Sequence, residues 1–156
     1  MPTVNSGISA QDRQRLADSL SRALADSDTL SLKTHGYRWN VAGPNVRGLR
    51  ELFGQQSAEL AGAADELAER IRALGHYAPG SHSRFAELGA VPDDGGRPDW
   101  QQMIRTLADD QETAIGTCRA AVQVARAADD PVSKDLLTRR LRVHEKHAWM
   151  LRAHLR

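Results

Sequence analysis

The chain has 156 residues, 40% of them hydrophobic and 26% charged, which suffices for one domain with a real core and excludes a disordered chain. A formal net charge of +1 leaves no global field to draw it toward nucleic acid or anionic lipid. No stretch reaches the roughly 18 apolar residues of a membrane span, the first residues lack the apolar core of a signal peptide, and the lone Cys118 excludes a disulfide within the chain, so a reduced, cytoplasmic setting is expected.

A first helix is expected over residues 8 to about 37, where Leu16, Leu20, Leu24 and Leu32 recur at multiples of four and so share one face. Ser6 or Ser9 is its expected cap. Asn40-Val41-Ala42-Gly43-Pro44 breaks it, because a proline disfavours the α region for the residue before it, and Asn45 stands ready to cap a second helix. That helix carries Val46, Leu49, Leu52, Phe53, Leu60, Ala64, Leu67, Ile71 and Leu74 at helical steps, with Gly75 as its stop.

Between His76 and Pro98 three prolines and four glycines mark an irregular crossover, with room for a short helix over residues 83–88. A third long helix is expected to begin at Pro98-Asp99, with proline in its first turn, and to run through Trp100, Met103, Ile104, Leu107, Ala114, Cys118 and Val122 to near Ala128. Asp129-Asp130-Pro131 stops that helix and starts the next, which continues through Leu136, Leu137, Val143, His147 and Leu151. Four long helices joined by a short, a long and a short link predict an all-α fold: one domain over residues 1–156 with the connectivity of a ferritin-like four-helix bundle.

From Pro131 onward seven cationic residues face only Asp135 and Glu145, an excess of five positive charges. Arg139, Arg140 and Arg142 are the candidates for contact with DNA phosphates; the alternative is a solvated or subunit-contacting helix face. Near the N-terminus Arg13 and Arg15 are balanced by Asp12 and Asp18, so no basic arm is present there.

The segments LKTHGYRWNVAGPN, LRELFGQQSAELAGAADELAERIRALG and DLLTRRLRVHEKHAWMLR resemble, in order and spacing, the signature segments of the Dps miniferritins, and the likeness spans essentially the whole chain. The resemblance implies a ferritin-like bundle whose long crossover carries a short helix. It also implies two-fold dimers built into a twelve-subunit shell, which oxidises and stores iron and in some members shields DNA under stress. The iron site it implies lies between two subunits: two histidines and a carboxylate come from the first two helices of one, and an aspartate and a glutamate one turn apart come from its mate.

Asp65 and Glu69 match the second half of that site and, four residues apart, project from one helix face. Arg38, Arg50 and Gly54 stand where the resemblance expects the two histidines and the carboxylate. A guanidinium has donors only and keeps its charge, so neither arginine can ligate a metal. The standard site is therefore expected to be degraded, with salt bridges from Arg38 and Arg50 to the mate's Asp65 and Glu69 in place of iron. Iron is then stored or weakly bound, and ferroxidase activity is weak or absent there. Without the resemblance, Asp65 and Glu69 read as surface acids beside Glu59 and Glu66.

His35, one turn before Arg38, is a candidate displaced ligand, with a structural hydrogen bond as the alternative. With Asp65, Glu69 or Glu51 it would rebuild an active ferroxidase centre; a shell recruited for another ligand is a further alternative. His144, His147 and His154 on the last helix read as packing or interface groups, as do Trp39, Trp100 and Trp149. Asp129, Asp130, Asp135 and Glu145 fall in the region that lines three-fold pores in shells of this family, with helix capping as the alternative for the first two.

Overall fold

The computed structural model describes residues 3–156, which form five α-helices and no strand. These are α1 (Ala10–Asn40), α2 (Val46–Ala73), α3 (His82–Leu88), α4 (Trp100–Ala127) and α5 (Pro131–Ala153). The helices begin where side chains satisfy their first amide groups: Ser9 accepts from Asp12 N–H, Ser81 from Arg84, and Asp99 from Gln102. Pro98 therefore precedes the α4 cap instead of lying in its first turn. Asp130 caps α5 by accepting from Val132 and Ser133, with Pro131 in the first turn. Asn45 departs from expectation: it holds the N-cap position of α2 but makes no capping bond. Its side chain lies over Gly48, where a Cβ would come within 2.7 Å of Oδ1. Gly75, with φ of +89°, closes α2 in the left-handed conformation that glycine tolerates best.

Cross-helix contacts fix the topology. Ser31 donates to Ser57 O and Arg50 to Arg38 O, so α1 and α2 are antiparallel; Lys33 pairs with Asp110 and Asp26 with Thr117, so α4 is antiparallel to α1 as well. Helices α2 and α4 consequently run the same way. At about 1.5 Å per residue α2 is about 42 Å long, and the chain must climb back along it before α4 can start, which is the task of residues 74–99. Asp26 pins this crossover: buried on α1, it accepts from Ala90 N–H at 2.7 Å, Val91 N–H at 2.9 Å and the Thr117 hydroxyl at 2.6 Å. Tyr37 adds a second tie by donating its hydroxyl to Asp94.

The core has two apolar clusters. One gathers Leu16, Leu20, Leu67, Ile71 and Leu137; the other gathers Leu30, Phe53, Leu60, Ile104 and Leu151. Buried polar side chains lie on the same helices: Lys33 and Asp110 form an ion pair at 2.6 Å, and Gln56, Gln111, Arg140, His144 and His147 are all enclosed. Burial raises the Asp110 carboxyl above its ordinary range, with Lys33 pulling the other way. Leu32, expected on the apolar face of α1, is instead 53% exposed, because at that height the face turned inward is occupied by Leu30, Lys33, Thr34 and Tyr37.

Candidate functional site

The C-terminal half of α1 and the N-terminal half of α2 enclose an open groove of about 690 Å³, lined by His35, Arg38, Arg50, Gly54, Ser57 and Ala61 among others. Arg50 donates through Nη1 to the Arg38 carbonyl at 2.9 Å, setting a positive charge against the negative end of α1. Arg38 lies flat on α2 at Gly54, where the absent side chain makes room for it: a Cβ would meet its Nε at 2.9 Å. His35 is half-buried, with Nδ1 3.2 Å from Ser57 Oγ and its ring edge-on to Trp39 at 4.7 Å. The hydrogen-bonding alternative for His35 is thus realised, while its Nε2 has no such contact.

Asp65 and Glu69 are exposed and continue the stripe of α2 that carries Ala58 and Ala61. Among the described residues neither they nor Arg38 and Arg50 make an ion pair within the chain. Two guanidinium groups offer no lone pair, Gly54 offers no ligand, and no three histidine, cysteine or carboxylate groups among the described residues come together to hold a metal.

In the bundle interior, too, no three such groups come together among the described residues. The ferritin-like solution projects glutamates and histidines inward from all four helices. Here Arg140 is buried at 6% exposure with its guanidinium on Glu59, and His144 Nδ1 bonds Gln111 Oε1 at 2.6 Å. Burial depresses both His144 and His147, to about 3 and about 4, so both are neutral near pH 7.

Arg140 therefore does not join Arg139 and Arg142 on an outward basic face, as expected; it faces the core. Arg139 is exposed and reaches Glu66 and Asp135, each at 3.5 Å, and Arg142 is exposed. Of the acidic residues, Asp130 is turned inward: it caps α5, and both its carboxylate oxygens accept from Arg70 Nη2, at 3.0 and 2.9 Å. Burial opposes its ionisation, but bonds from Ser133 and Arg70 outweigh that and leave its carboxyl below the ordinary range. Asp129, Asp135 and Glu145 are exposed.

Expectation from sequence passed over the buried polar groups Asp26, Lys33, Gln56, Asp110 and Gln111. A signal exists: Leu30, Lys33 and Tyr37, like Leu136, Arg140, His144, His147 and Leu151, follow at steps of three or four, so the charged members share the apolar stripe. Trp39 and Trp149, at 61% and 66% exposure, lie outside the subunit core, whereas Trp100 packs against it.

Comparison with known proteins agrees with this architecture. The ferritin-like domain family matches residues 17–156. An uncharacterized low temperature-induced protein of Nostoc sp. is 36% identical over 98% of this chain and 87% of its own length. The DNA protection during starvation protein of Brevibacillus brevis is 32% identical over 92% of this chain and 96% of its own. Among solved structures, DpsC from Streptomyces coelicolor superposes with a TM-score of 0.95 at 26% identity, covering 99% of this chain and 91% of that one. With its four-helix bundle, its long pinned crossover and these relatives, the chain belongs to the ferritin-like family and, within it, to the Dps proteins.

Proposed function

We propose that this chain is the subunit of a Dps-like shell that sequesters iron and protects the cell and its DNA under stress, with its inter-subunit iron site replaced by an arginine–carboxylate cluster. One observation carries the reading. Among the described residues Arg38 and Arg50 form no ion pair, nor do Asp65 and Glu69, although all four belong to α1 and α2. Two-fold pairing of these helices sets the guanidinium groups of one subunit against the carboxylates of the other, and charge-assisted, bidentate bonds then supply what a bound cation would otherwise supply.

On this reading the assembly is a dodecamer in the cytoplasm, iron is its cargo, stored or weakly bound, and oxidation at the arginine position is weak or absent. Relatives support the protective role, since one carries DNA protection during starvation in its name and another is a general stress protein of Bacillus subtilis. Asp129, Asp135 and Glu145 are the remaining candidates for a cation path at a three-fold axis, and Arg139 and Arg142 for contact with DNA. The competing reading, a ferroxidase centre rebuilt around His35, Asp65, Glu69 and Glu51, has in its favour that the His35 hydrogen bond to Ser57 engages Nδ1 and leaves Nε2 without a hydrogen bond among the described residues.

Anaerobic ferrous titration of the metal-free assembly, followed by air oxidation, separates the two readings. Wild type is expected to lack a saturable site, and Arg38→His/Arg50→His/Gly54→Asp is expected to gain one. Tight binding and fast oxidation by wild type, lost on Asp65→Ala/Glu69→Ala, would overturn the arginine reading in favour of the rebuilt centre.

A further inference from the structure

Three buried side chains join α4 to α5. His144 Nδ1 lies 2.6 Å from Gln111 Oε1, and Gln111 Nε2 lies 3.5 Å from His147 Nδ1. The amide between them sets a polarity. Its oxygen only accepts, so His144 carries its proton on Nδ1; its NH2 only donates, so His147 Nδ1 is bare. A proton added at His147 Nδ1 opposes donor to donor unless the amide flips and His144 moves its proton to Nε2, and with both imidazoles charged neither amide orientation avoids the conflict. His144 can take a second proton only at Nε2, as a charge on a side chain 1% exposed.

Of the groups around the two rings, Glu59 favours such a charge at His147, while burial and Arg140 oppose it at both. On α5, Arg140 lies one turn before His144, and Lys146 adjoins His147. On α2, Glu59 is taken by Arg140. On α4, Cys118 is a buried thiol and Asp110 is paired with Lys33 of α1. Asp26 of α1 is committed to Ala90, Val91 and Thr117.

We propose that the His144–Gln111–His147 chain is an acid-triggered release built into each subunit, in which protonating the imidazoles dissolves the packing of α5 on α4 and loosens the fold. Its range follows from linkage. Burial, opposed by Glu59 at His147 and reinforced by Arg140 at both rings, holds His144 at about 3 and His147 at about 4 in the folded chain, against an ordinary value of about 6.5. Because the folded values are depressed, the stability is fully present above about pH 6.5 and drains away as pH falls toward 4. Across that window unfolding takes up both protons, so the folded-to-unfolded ratio falls about tenfold per pH unit for each histidine and about a hundredfold for the pair.

Urea unfolding of the assembled protein at steps from about pH 7.5 to about pH 4.5 tests this, beside His144→Asn/His147→Asn, whose amides overlie Nδ1 and do not titrate. Wild type is expected to lose stability below about pH 6.5 with a slope steeper than the variant's by about two protons. Equal slopes, or a flat wild-type curve, would overturn the proposal. Should the variant not fold, exchange of the imidazole C2 hydrogens in wild type, read by mass spectrometry, decides. Titration of either histidine near 6.5 in the folded protein overturns the proposal, and resistance to titration until near-UV circular dichroism is lost upholds it.

Discussion

Arg38 and Gly54 occupy one space on the α1–α2 surface: a Cβ at position 54 would stand 2.9 Å from Arg38 Nε and 3.2 Å from its Cδ. The two positions are therefore coupled, and the arginine can lie against α2 only because no side chain rises from Gly54. The Nε so covered is fully buried and has no hydrogen-bond partner among the described residues.

This coupling has a measurable sign. Replacing a helix-interior glycine by alanine ordinarily stabilises by about 1 kcal/mol. Gly54→Ala is expected to realise that gain only when Arg38→Ala has cleared the space, and to be neutral or destabilising with Arg38 in place. A double-mutant cycle in urea should give a coupling of about 1 kcal/mol; identical effects of Gly54→Ala in both backgrounds would show that the two positions are independent.

Asp130 joins the end of α2 to the start of α5 through Arg70 and through the cap on Val132 and Ser133. Loss of a buried pair together with a cap predicts about 3 to 5 kcal/mol for Asp130→Ala. Asp130→Asn, which keeps a capping oxygen, should cost less. Because the folded carboxyl is held below its ordinary range, this contribution is present above the unfolded value and is lost as pH falls through the folded one. Thermal unfolding of wild type and Asp130→Asn should therefore converge toward strongly acidic pH.

Asp26 accepts two amide groups of the crossover and the Thr117 hydroxyl. In Asp26→Ala the amides of Ala90 and Val91 lose their partner, at about 1 to 3 kcal/mol for each unsatisfied donor. Faster deuterium uptake is expected over residues 89–96, with α2 and α5 unchanged. Uptake that rises evenly along the chain would mean that Asp26 supports the whole bundle rather than the crossover.

The basic residues of α5 should separate by role. Arg139→Glu/Arg142→Glu is expected to leave the melting temperature nearly unchanged, since both are exposed, and to abolish any salt-sensitive DNA shift the assembly shows. Arg140→Ala is expected to lower the melting temperature by leaving Glu59 without its cation. If Arg140→Ala changes only DNA retention, the buried assignment fails.

The elements were legible because their signals are local. Prolines and glycines in the crossover, Ser9 and Asp130 as caps, and leucines at steps of three and four depend on backbone sterics and helix periodicity, which act over a few residues. Periodicity misplaced Leu32 by treating spacings of four as one face, since a repeat of 3.6 residues drifts around the helix over several turns. Arg140 was misread for a different reason: charge was counted along the chain instead of by helical position, which puts it in line with Leu136, His144 and Leu151.

From sequence alone came the bundle, its order of short and long links, and the chemical fact that arginine at 38 and 50 with glycine at 54 cannot bind a metal, since donor inventory belongs to the residue whatever its surroundings. The tertiary structure decided where the charges are used. Lys33 meets Asp110 seventy-seven residues away, Arg70 meets Asp130 sixty apart, and Arg140 meets Glu59 eighty-one apart. Such partners are chosen by how helices pack and which groups lose their water together, and neither is written in any short stretch of chain.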